Sequence, residues 1–145
     1  MLLSTCSSVQ AQLHPHIQCT AGPAADGGEF CRTVFALRQR LLENSWTSWW
    51  AEQADSRAIL VERDDSLGPG GWATLVYWDG AMKIVAAPDI MDSPLTASHF
   101  LHEIQHVLDG PSCVTDPFAH ERVYFFQMLA AHQLGAPMED VWAIY

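Results

Sequence analysis

Ser93-Pro-Leu-Thr-Ala-Ser-His-Phe-Leu-His-Glu-Ile-Gln-His-Val-Leu-Asp-Gly-Pro111 is the stretch from which the rest of the chain is best read. Ser93 suits an N-cap, Pro94 the first helical position, and Gly110 followed by Pro111 a helix stop, so the residues between are expected to form a helix. At about 100° per residue, Ala97, Phe100, Leu101, Ile104, Val107 and Leu108 fall on one broad arc. His99, His102, Glu103, His106 and Asp109 fall on the other. A helix in a small domain buries one stripe and leaves a mixed polar face to solvent. Here the polar face is three histidines and two acids, a composition suited to binding and poorly suited to mere solvation.

Within it, His102-Glu103-Ile104-Gln105-His106 has the pattern H-E-x-x-H. Two imidazoles four residues apart stand one above the other on a helix, close enough to share one Zn²⁺. Glu103 is turned about a quarter of the way round, where a carboxylate serves as a base without ligating the metal. A catalytic zinc usually has three protein ligands. Asp116-Pro117 opens a second helix and Gly135 closes it. On that helix Phe118, Glu121, Phe125, Met128 and Leu129 share a face, which puts Glu121 inside an apolar stripe. Burying a carboxylate there is costly unless a cation compensates it, so Glu121 is the expected third ligand. His120 lies about 100° away beside Tyr124 and Gln127, flanking the site or facing solvent. His132 is about 16 Å further along the axis, Asp116 is better explained as a cap, and Cys113 is a lesser thiolate candidate.

On these residues the chain, from about Arg57 to Leu134, resembles the zincin metallopeptidases of the gluzincin type, with H-E-x-x-H on one helix and a ligand Glu on the next. Glu121-Arg-Val-Tyr-Phe-Phe-Gln127 is also similar to the Glu-containing helix of small bacterial zincin domains. The resemblance implies one Zn²⁺ per chain on His102, His106 and Glu121, with Glu103 as general base and a peptide or protein as substrate. Tyr124 is the leading donor to the developing oxyanion, with His120 and His99 as alternatives. Asp109 is either a hydrogen-bond acceptor for a ligand histidine or a surface residue of the last helical turn. The spacing from His106 to Glu121 is shorter than in thermolysin-like members, and Phe125 stands where they carry an Asp. Asp109 and Ser112 stand where a metzincin needs Gly and His.

Composition narrows the partners. The 145 residues form one domain with 17 acidic and 7 basic side chains, a formal charge of −10. Such a surface argues against nucleic acid and anionic membranes, which need basic contacts. No run of about 18 apolar residues suggests a membrane span. The four cysteines contain no C-x-x-C, which argues against a zinc ribbon. Pairing of Cys19 with Cys31 would staple the N-terminal region to the first helix, although other pairings and reduced thiols stay open. Val9-Gln10-Ala11 resembles the end of an export leader, a pointer to a secreted or periplasmic home.

The expected organisation is an arm or leader remnant over 1–27 and a zincin-like domain over 28–145. Phe30, Val34, Leu37 and Leu41 recur at helical spacing, and Trp46, Trp49 and Trp50 continue a short helix or cover the core. Ala58–Val61, Ala73–Trp78 and Met82–Ala86 are expected strands, the last two joined at Asp79-Gly80 as a hairpin. The fold class is therefore α+β, a small antiparallel or mixed sheet packed on the active-site helix and a following ligand helix. Ala73–Trp78 or Met82–Ala86 is the edge available to an extended peptide. The expected function is a zinc-dependent hydrolase of peptide bonds. The alternatives are an inactive zincin-like binding module and a zinc hydrolase of a non-peptide substrate.

Overall fold

The computed structural model describes residues 16–22 and 27–144. Cys6, His14 and Val9-Gln10-Ala11 lie outside them. The chain is α+β: β1 (Gln18–Thr20), α1 (Gly27–Glu43), α2 (Ser48–Ser56), β2 (Leu60–Arg63), β3 (Trp72–Val76), β4 (Met82–Ala86), α3 (Pro94–Asp109), a 3-10 turn (Pro111–Val114), α4 (Pro117–Gln133) and α5 (Met138–Trp142). The sheet runs β1-β2-β4-β3, with β1, β2 and β4 parallel and β3 antiparallel to β4.

Within the expected arm, Gln18–Thr20 forms a strand, although its sequence shows no strand periodicity. Three residues are too few for alternation to be visible, so tertiary contacts define the strand. Asp55 Oδ1 accepts a hydrogen bond from the Ile17 amide at 3.0 Å, and Arg38 grips the same carboxylate through Nε (2.8 Å) and a terminal nitrogen (2.7 Å). A Cys19–Cys31 disulfide ties the strand to α1. Ile17 is thereby wholly buried with Val34, Leu37, Leu41, Val61 and Ile84.

The hairpin forms around Asp79-Gly80 as expected. Gly80 has φ +84°, a conformation that favours glycine, and the Tyr77 amide donates to the Ala81 carbonyl at 2.8 Å. Tyr77 and Trp78 belong to the turn, where Trp78 is almost fully exposed, so β3 ends at Val76. Ala58 also departs from its expected strand, with φ +48° in the turn before β2. Met82–Ala86 is interior, between β2 and β3, which leaves β3 as the edge facing the metal-motif helix.

α3 begins and ends where its caps require. Ser93 Oγ accepts from the Thr96 amide at 3.1 Å, Pro94 opens the helix, and Gly110 leaves it at φ +80°. Ala97, Phe100, Leu101 and Ile104 are buried. α2, α3 and α4 are tied by a polar chain. Trp50 Nε1 donates to Gln105 Oε1 (2.9 Å), Gln105 Nε2 to Asp109 Oδ1 (2.8 Å), and Arg122 to Asp109 Oδ2 (2.8 Å). Asp109 is thus engaged by Gln105 and Arg122, and neither His102 nor His106 donates to it.

Candidate metal centre

The helical spacing on α3 brings His102 and His106 together as expected, with their Nε2 atoms 3.0 Å apart. The third member is His120. One nitrogen from each of His102, His106 and His120 lies within 4.8 Å of the others, and the His106 and His120 ring centres are 4.8 Å apart. The three grade from buried through half-buried to exposed, so the cluster opens toward solvent.

Glu121 is exposed and takes no part in this cluster. The premise of that expectation, a buried aromatic stripe, does not hold: Phe118 is 76% and Phe125 58% exposed. The buried face is Ala119, Val123, Gln127 and Ala130, and α4 packs against α3. That phase carries Glu121 outward and turns His120, Tyr124 and Gln127 toward the histidines. The available signal was that His120, Tyr124 and Gln127 share a polar helical stripe, lying beside Ala119 and Val123.

The rings of the cluster are mutually supported. His120 stacks on Tyr124 with centres 4.9 Å apart and planes 10° from parallel, and Tyr124 meets His102 edge-on at 4.9 Å. Gln127 Oε1 lies 2.7 Å from His102 Nδ1. His106 Nδ1 is buried and has no hydrogen-bond partner among the described residues. Burial, with the neighbouring His106 next in effect, pushes the His102 pKa down to about 4, while burial and then His120 lower that of His106. Both shifts favour the neutral ring, the form that offers a lone pair to a metal.

Glu103 lies beside the pair, 8% exposed, and burial raises its pKa to about 7 against the opposing hydrogen bond from Thr74. Thr74 Oγ1, on edge strand β3, donates to Glu103 Oε2 at 2.6 Å. Sequence gave no sign of this contact, since 29 residues separate the two.

These groups line a cleft of about 900 Å³ between β3 and the helices, with Trp72, Val76 and Met82 on the strand side and Cys113, Thr115 and Asp116 near the connection to α4. A second recess of about 310 Å³, reaching His99 and Gly70-Gly71, shares Trp72, His102, Glu103 and Tyr124 with it. Burial lowers the pKa of His99. Cys113 is half-buried, its thiol pKa raised by burial and then by Asp109, and it is not part of the histidine cluster.

The donor set fits a divalent transition metal. Two imidazole nitrogens on one tetrahedral zinc, each at about 2.0–2.1 Å, stand roughly 3.3 Å apart, close to the separation of the two Nε2 atoms. Three histidines with one position left open are a known ligand set for catalytic zinc. Comparison with protein-family models, curated proteins and solved structures finds no match to this chain.

Proposed function

We propose that this protein is a zincin-like metallopeptidase whose metal, most simply Zn²⁺, is held by His102, His106 and His120. The observation that carries the proposal is the convergence of three imidazole nitrogens within 4.8 Å, beside a buried glutamate, on the wall of an open cleft. Zn²⁺ in such a site polarises a carbonyl and brings the pKa of water down to about 7.

The chain's own residues supply the remainder. Thr74 occupies Glu103 Oε2, which leaves Oε1 to take the proton from attacking water and pass it to the leaving amine. A carboxylate with a pKa near 7 is suited to doing both at neutral pH. Tyr124, stacked on His120 and facing the cleft, supplies a hydroxyl for the developing oxyanion. Among the described residues β3 has a strand neighbour on one side only, so an extended peptide can pair along its free edge. The disulfide supports an extracytoplasmic location, where such bonds persist.

Elemental analysis together with a digest of casein or a mixed peptide library tests the proposal. The expected result is about one zinc per chain and cleavage that Glu103→Gln abolishes. Protein that takes up no transition metal would overturn the metal site. A zinc-loaded protein that cleaves no peptide while hydrolysing an ester or amide of another class would redirect the substrate.

A further inference from the structure

We infer that Gln127 is a positioning residue for the metal, fixing His102 in the one tautomer that can bind it; this rests on the three-histidine site proposed above. A neutral imidazole carries its proton on either nitrogen, and only the bare nitrogen can donate to a metal. His102 is 7% and Gln127 3% exposed, and the two meet at 2.7 Å on the wall of the smaller recess. An amide oxygen only accepts. With Oε1 against the ring, Nδ1 carries the hydrogen, and the lone pair sits on Nε2, the atom that faces His106 Nε2 at 3.0 Å.

Gln127 is also the only residue of the buried face of α4 whose side chain can hold an imidazole by a hydrogen bond, since Ala119, Val123, Ala130 and Ala131 have no side-chain polar atoms. Helix α4 therefore contributes twice to the centre, a ligand at His120 and, two turns on, the group that orients a ligand on α3. A carboxylate in the same position would add a negative charge. The amide sets the tautomer without that charge and leaves the metal's positive charge undiminished for a substrate carbonyl.

The test is titration of metal-free protein with Zn²⁺ by calorimetry under chelator competition, with ¹⁵N NMR of the imidazole nitrogens as a second readout. Gln127→Leu, of similar volume and without an acceptor, is expected to bind one Zn²⁺ with 10–100-fold lower affinity. Its His102 resonances should lose the Nδ1–H pattern of the wild type. Gln127→Glu restores an acceptor and is expected to bind at least as tightly as the wild type. Gln105→Leu removes a buried amide that touches Trp50 and Asp109 but no histidine of the cluster, and should leave zinc affinity within a few-fold. Wild-type affinity in Gln127→Leu, or an Nε2–H pattern for His102 in the wild type, would overturn the inference. Failure of the wild type to bind Zn²⁺ at all would instead overturn the site.

Discussion

Replacing Glu103 by Gln is expected to make the metal-free protein more stable at alkaline pH, even as it removes the base. Burial lifts the carboxyl pKa from an ordinary 4.5 to about 7. Between those two values the folded protein holds a proton that the unfolded chain has released. Stability due to this group is therefore greatest below about pH 4.5, falls as pH rises, and levels off above about pH 7. The full displacement corresponds to about 3 kcal/mol. Gln has nearly the same shape, keeps an oxygen for the Thr74 hydroxyl and carries no charge at any pH. Urea unfolding of chelator-treated wild type and Glu103→Gln should give equal stabilities near pH 4 and a variant about 3 kcal/mol more stable at pH 8. With zinc present, the same variant should keep its stoichiometry and lose hydrolysis by 10²–10⁴-fold. If the two stabilities run parallel from pH 4 to pH 8, Glu103 is not desolvated and the account of its pKa is wrong. A variant that loses its zinc would make Glu103 a ligand.

His120→Ala should weaken zinc binding by more than the 10–100-fold typical of losing a supporting hydrogen bond, whereas Glu121→Ala should leave it unchanged; calorimetric titration of both decides between the two helix phases. Because the Thr74 hydroxyl opposes the upward shift of Glu103, Thr74→Val should move the acid limb of the pH–rate profile upward, and Thr74→Ser should restore it. Double replacement of Cys19 and Cys31 by Ser should cost about 3 kcal/mol in urea, from the entropy of a loop of this length, without altering zinc stoichiometry. An unchanged unfolding midpoint would show that the cross-link does not constrain the unfolded chain.

The parts of the molecule legible in one dimension are those governed by bonds between near neighbours. Ser93, Pro94 and Gly110 bound α3 because capping and positive φ are local, and the four-residue spacing places His102 over His106 whatever surrounds them. Asp79-Gly80 specifies a hairpin for the same reason, and the spacing of Phe30, Val34, Leu37 and Leu41 locates the buried side of α1. Packing between distant elements decided the rest. Gln18–Thr20 became a strand only through β2, Asp55 and Cys31. On α4, side-chain hydrophobicity pointed to the Phe118–Phe125 side, but the face packed in the structure is that of Ala119, Val123, Gln127 and Ala130. That rotation put His120 and Gln127 at the centre and Glu121 in solvent. Thr74 reaches Glu103 only because β3 is the edge of a mixed sheet, a placement set by strand order. Periodicity shows which residues of a helix share a face, but which face meets a neighbour depends on how closely the two helices can pack.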